Sequence, residues 1–125
     1  MCVTIIWMST ILIVDDDPRF RAQVSAILAA DGFTVVGEAG DAASALKAAA
    51  SLRPEYVLLD IGLPDADGFA VSRSLADADV RPHVVLTSSR GARTFGRRLR
   101  EAPALGFLLK EQVSGAAILA LAGLA

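Results

Sequence analysis

Ile11-Leu12-Ile13-Val14-Asp15-Asp16-Asp17-Pro18 is the stretch on which the reading of this chain turns. Four aliphatic residues without a polar break fit a strand buried on both faces of a sheet. Three carboxylates then crowd its carboxyl end. Asp17 suits the cap of a helix and Pro18 its first turn. From there Phe20, Val24, Ile27 and Leu28 recur at helical spacing up to Ala30, and Gly32 follows the end.

Outward from this strand–acidic turn–helix unit the same alternation continues. Thr34–Glu38, Tyr56–Leu59, His83–Thr87 and Gly106–Leu109 read as further strands. Ala42–Leu52, Phe69–Ala76, Ala92–Glu101 and Val113–Leu124 read as helices, the first of them capped by Asp41 and stopped by Arg53-Pro54. Five strands alternating with five helices predict an α/β fold, a doubly wound parallel sheet covered on both faces.

Composition agrees with a single domain. The chain has 125 residues, 54% hydrophobic and 21% charged, with a net charge of −2. That is one core's worth of chain and too apolar for disorder. Its longest apolar run, Gly115 to Ala125, is too short to span a bilayer as a helix. Cys2 stands alone, so no internal disulfide forms, and no signal-peptide pattern opens the chain; the expectation is a cytoplasmic domain. Residues 1–9 precede the first strand as an extension, with Met8 an alternative natural start. Charge is divided: residues 1–79 carry 12 acidic and 5 basic side chains, residues 80–125 carry 2 and 7. Five arginines fall between Arg90 and Arg100.

Ligands of open parallel sheets bind outside the carboxyl ends of the strands, and the unusual polar residues of this chain sit there. Asp15, Asp16 and Asp17 follow the first strand, Asp60 follows Val57-Leu58-Leu59, Thr87 ends Val84-Val85-Leu86, and Lys110 ends Phe107-Leu108-Leu109. Clustered carboxylates repel one another unless a pKa rises or a cation binds. With oxygen ligands only, that cation is expected to be Mg²⁺. A carboxylate can attack phosphorus to give an acyl phosphate, and Mg²⁺, an ammonium and a hydroxyl would neutralise the phosphoryl oxygens.

These segments, with Leu59-Asp-Ile-Gly-Leu-Pro-Asp-Ala-Asp-Gly68, resemble the receiver domain of two-component response regulators from about Thr10 onward. Phe33–Glu38 and Gly106–Lys110 look most like the receivers of LuxR-type regulators, here without the DNA-binding domain. The resemblance implies the strand order 2-1-3-4-5 and a phosphorylation-dependent signalling switch rather than a turnover enzyme. It implies that Asp60 accepts a phosphoryl group from a histidine kinase or phosphotransfer protein. Asp15 and Asp16 would be the acidic pair, Asp16 the more direct Mg²⁺ ligand, with Asp60 and the Gly62 carbonyl completing the protein's share. Thr87 and Lys110 would bind the phosphoryl oxygens, and Thr87 and Phe107 would form the switch.

Other expectations accompany this one. Asp17 reads as a cap only, Asp65 and Asp67 as loop residues and His83 as structural. Glu111 stands where many receivers have proline, and Ala102–Gly106 departs from the usual approach to the last strand. The chain is expected to be a stand-alone or an excised receiver. At about 100° per residue, Val113, Leu121 and Leu124 share one face of the last helix. That face and the arginine-rich fourth helix are the expected surface for a homodimer or a partner protein. Competing readings are a constitutive, phosphorylation-independent interaction module and a hydrolase using Asp15 and Asp17 as an Asp-x-Asp pair. Nucleic-acid binding through the arginines is disfavoured by the absence of interleaved aromatics.

Overall fold

The computed structural model describes residues 9–79 and 81–124. Five strands, β1 (Thr10–Val14), β2 (Thr34–Ala39), β3 (Tyr56–Asp60), β4 (His83–Ser88) and β5 (Gly106–Leu109), form one parallel sheet in the order β2-β1-β3-β4-β5. The helices between and after them are α1 (Pro18–Ala30), α2 (Ala42–Leu52), α3 (Gly68–Ala76), α4 (Arg97–Glu101) and α5 (Gly115–Leu121). The predicted order and strand bounds are those observed, within a residue or so. The reading of residues 1–8, including the start site, lies outside the described residues.

Alternate strand residues point to opposite faces, so the buried strands feed two cores. On one side Leu12, Val14, Val57, Leu59, Val84 and Leu86 pack with Ala42, Ala45, Phe69, Val71 and Leu75 of α2 and α3. On the other, Ile11, Ile13, Leu58 and Val85 pack with Val24 and Leu28 of α1 and Ile118 and Leu119 of α5. Each of the Val, Leu, Ile and Phe side chains contributes roughly 1.5–3 kcal/mol on burial. Together they fix the sheet whose carboxyl edge carries the site.

Two helix predictions need correction. Ala92–Glu101 is not one helix: Ala92–Thr94 is a 3₁₀ turn and α4 begins only at Arg97. Gly96 separates them with φ +54°, a left-handed backbone that an L residue adopts at a cost. The last helix is also shorter than Val113–Leu124. Val113 lies before it and is buried, Ser114 caps it through the Ala117 N–H, and Leu121 is half-buried against the core. Of the supposed apolar face only Leu124 is open, at 58% exposure. That stripe is therefore mostly core, and it does not present the continuous apolar surface expected of an interface.

Candidate functional site

Register brings the site residues together. Asp60 and Thr87 are paired neighbours on β3 and β4, tied by the Ile61 N–H donating to the Thr87 carbonyl (3.0 Å). β1 lies against β3 with Val14 beside Leu59, so Asp15 emerges next to Asp60. Lys110 follows β5 at the start of a 3₁₀ turn, Lys110–Gln112. Its ammonium reaches inward, 2.7 Å from Asp15 Oδ2, 3.5 Å from Asp60 Oδ2 and 4.9 Å from the centre of the Phe20 ring.

Carboxylate oxygens of Asp15, Asp16 and Asp60 lie within 4.8 Å of one another. Asp15 is fully buried, Asp60 is 5% exposed and Asp16 is open to solvent. Asp15 Oδ1 accepts from the Asp17 N–H (2.9 Å) and Asp60 Oδ1 from the Gly62 N–H (3.1 Å). Among the described residues Asp15 Oδ2 has only the Lys110 ion pair, whose angles are not those of a hydrogen bond, and so remains an under-coordinated buried acceptor. An all-oxygen set with such an atom fits a hard divalent cation. Thr87 Oγ1 is likewise buried with no hydrogen-bond partner among the described residues.

Burial is the main influence on the Asp60 carboxyl and pushes its pKa up. The Gly62 N–H opposes that, the Asp15 charge reinforces it, and Lys110 opposes it. For Lys110, burial pulls the pKa down, but the close Asp15 carboxylate and the charge of Asp60 outweigh it and hold it above the ordinary value. The ammonium is the fixed cation of the site.

Above these residues opens a cleft of about 360 Å³ lined by Asp16, Asp60, Gly62, Ser88, Arg90, Phe95 and Lys110, among others. Gly62 leaves room: a Cβ there would come no closer than 4.0 Å to Asp60 Oδ1. Gly68 does not, since a Cβ would stand 2.6 Å from the Asp60 carbonyl oxygen, so the start of α3 packs directly on the end of β3. Phe107, beside Leu86, packs on Phe95 at 6.1 Å, and Phe95 on Phe69 at 5.9 Å. The structure thus places every sequence-predicted site residue at one edge, with Phe107 joined to it through Phe95.

Three roles escaped the sequence reading. Asp65 is not an idle loop residue: its oxygens accept from the N–H groups of Ala42 (2.7 Å) and Ala43 (3.1 Å), tying the loop after β3 to the start of α2, and these bonds lower its pKa. Asp67 caps α3 through the Ala70 N–H and pairs with Arg98, which also lowers its pKa. Arg90 and Phe95 line the cleft from the loop after β4. Asp17 caps α1 as expected, and His83 packs on Tyr56.

Comparison with known proteins agrees with the geometry. The chain matches the response regulator receiver domain over residues 11–121, and it belongs to that family. It is 33% identical over 100 residues to the transcriptional regulatory protein PdtaR of Mycobacterium tuberculosis, covering 80% of this chain and 48% of PdtaR. A Pseudomonas aeruginosa relative is 39% identical over 105 residues, 84% of this chain and 51% of that protein. The chain spans about half the length of the curated relatives it matches. Among solved structures, the receiver domain of Mycobacterium tuberculosis NarL superposes with a TM-score of 0.80 at 29% identity, covering 92% of this chain and 97% of that one. CheY in the CheX–CheY–BeF3–Mg complex of Borrelia burgdorferi superposes with a TM-score of 0.76 at 25% identity, covering 91% and 86%. The chain is thus a receiver domain with the doubly wound 2-1-3-4-5 sheet. Among the described residues no helix is long and apolar enough to cross a membrane.

Proposed function

We propose that this receiver is a phosphorylation-controlled switch whose acceptor is Asp60. The observation that carries the reading is the grouping at one edge of a buried carboxylate, a fixed ammonium and a buried hydroxyl with no hydrogen-bond partner among the described residues. A carboxylate oxygen of Asp60 attacks the phosphorus of a phosphohistidine on a kinase or phosphotransfer protein. The P–N bond breaks with its electron pair left on nitrogen, the ring, already protonated on its other nitrogen, leaves as neutral imidazole, and an acyl phosphate forms. Lys110 sits where it can pair with a phosphoryl oxygen, and Thr87 Oγ1 has an unused donor for another.

Asp15, Asp16, Asp60 and the Gly62 carbonyl are the residues we assign to Mg²⁺. Bound there, the ion would offset carboxylate repulsion and the charge of the phosphoryl oxygens. The open space beside Gly62 admits water, so the acyl phosphate is expected to hydrolyse slowly, making the domain a self-limiting phosphoacceptor rather than a turnover enzyme. When Thr87 turns to the phosphoryl group it vacates space under β4 and β5, and the Phe107–Phe95–Phe69 ring contacts give that movement a route to α4. The interaction face then lies on α4 and α5, with the exposed arginines of α4 rather than an apolar stripe of α5 at its centre, and it serves a partner protein or a second copy.

The test combines intact-mass detection of phosphoryl uptake from acetyl phosphate with sedimentation at micromolar concentration. Uptake that requires Asp60 and Mg²⁺ supports the reading. A fully folded protein with no uptake would favour the constitutive module instead. A monomer in both states would place the output on a partner protein.

A further inference from the structure

Among the described residues two cations, Lys110 and Arg90, line the cleft above Asp60, and one of them has an acidic partner. Lys110 is paired with Asp15 and Asp60. Arg90 has no ion pair among the described residues, although it lines the same cleft. The neighbouring arginine that also reaches inward, Arg98, is committed: it pairs with Asp67 and stacks over the Phe69 ring at 4.5 Å. Arg90 is rooted, since its N–H donates to Oγ of the buried Ser88 (3.0 Å), one residue beyond Thr87. Its side chain is exposed.

We infer that Arg90 is an anion-binding residue of the site, recognising the phosphoryl group of the donor and holding it once it is on Asp60. The inference rests on the phosphoacceptor reading above. Charge is the argument. Three carboxylates against one ammonium leave an excess of two negative charges facing an anionic donor. Turning the Asp60 carboxylate into a dianionic acyl phosphate adds one more, and a divalent cation removes two. One negative charge remains, at the mouth of the cleft where Arg90 stands. A guanidinium there offers a planar pair of donors to two phosphoryl oxygens, a geometry an ammonium cannot copy.

The test uses the full chain at saturating Mg²⁺ with acetyl phosphate, following the intact-mass adduct for wild type, Arg90→Gln, Arg90→Lys and Arg81→Gln. The last removes an exposed arginine before β4 that does not line the cleft. Arg90→Gln should slow uptake roughly threefold to tenfold at low ionic strength, and the gap should shrink with added salt. Arg90→Lys should recover part of the rate, and Arg81→Gln should match wild type. Calorimetric titration with Mg²⁺ alone separates recognition from damage. Loss of a positive charge should leave Mg²⁺ binding unchanged or tighter in Arg90→Gln, whereas a distorted site would bind it more weakly. Equal uptake rates for wild type and Arg90→Gln, or a parallel loss of Mg²⁺ affinity, would overturn the inference. Absence of any adduct on wild type would instead overturn the phosphoacceptor reading, and this one with it.

Discussion

Replacing the proposed acceptor by its neutral isostere, Asp60→Asn, should stabilise the fold in the absence of divalent cations. Asp60 is almost fully buried, and its neighbours pull in opposite directions. At an effective dielectric near 20, a carboxylate of Asp15 up to 4.8 Å away costs at least about 3 kcal/mol, and Lys110 at 3.5 Å returns about 5 kcal/mol. Asp16 is exposed and adds only about 1 kcal/mol of repulsion after screening. These charges nearly cancel, so the cost of taking the carboxylate out of water decides the balance. The net expectation is a gain of about 1–2 kcal/mol on neutralisation, or about 5 °C in melting temperature for a domain of this size. The pH dependence has a definite sign. A raised carboxyl pKa means that the folded chain keeps the Asp60 proton to higher pH than the unfolded chain. Stability from this group is full below its unfolded pKa and is lost as pH rises through the raised value. The advantage of Asp60→Asn should therefore appear above that value and close in acid. Thermal denaturation followed by circular dichroism in EDTA, from pH 4 to 8, reads both features. Millimolar Mg²⁺ should raise the wild-type midpoint and reduce the advantage of the variant. A variant less stable than wild type at neutral pH, or a gap that ignores pH, would refute the electrostatic account.

Further outcomes follow from other contacts. Gly68→Ala would place a methyl 2.6 Å from the Asp60 carbonyl oxygen and 2.7 Å from Ile61 Cα, both backbone; denaturant unfolding should show a loss of about 2–3 kcal/mol and phosphoryl uptake should slow. Ile118→Ala, at a fully buried position in α5, should cost about 2–4 kcal/mol in the same assay, whereas Leu124→Ser at the exposed end should cost almost nothing. Asp65→Ala should lower the melting temperature at neutral pH by freeing the Ala42 and Ala43 N–H groups. Because the Asp65 pKa is lowered, that difference is present above the unfolded carboxyl value and should fade as pH falls through the folded one.

The strands were legible because β1, β3 and β4 are runs of Ile, Val and Leu buried on both faces, which few other elements require, while their order came only from the resemblance to receiver domains. The convergence of Asp15, Asp60, Thr87 and Lys110 was legible for the same reason: each stands at a strand's carboxyl end, and the parallel sheet gathers those ends. What failed was set by backbone geometry or by distant partners. Gly96 splits the fourth helix with a left-handed turn that composition alone does not demand. Val113 reads as a helical position until Ser114 is seen to cap the next turn. Asp65 finds its partners 22 and 23 residues away, and Asp31 accepts from the Gly115 N–H 84 residues away. No local pattern announces such contacts. Arg90 looked like one of five arginines on a basic surface, and only the path of the loop after β4 puts it in the cleft.

The central claim, that Asp60 is the phosphoacceptor of a Mg²⁺-assisted switch, is tested most directly by intact mass after incubation with Mg²⁺ and acetyl phosphate. A single phosphoryl adduct on wild type, absent from Asp60→Asn and absent in EDTA, is the predicted result. An adduct of equal yield on Asp60→Asn, or none on a folded wild type, would contradict it.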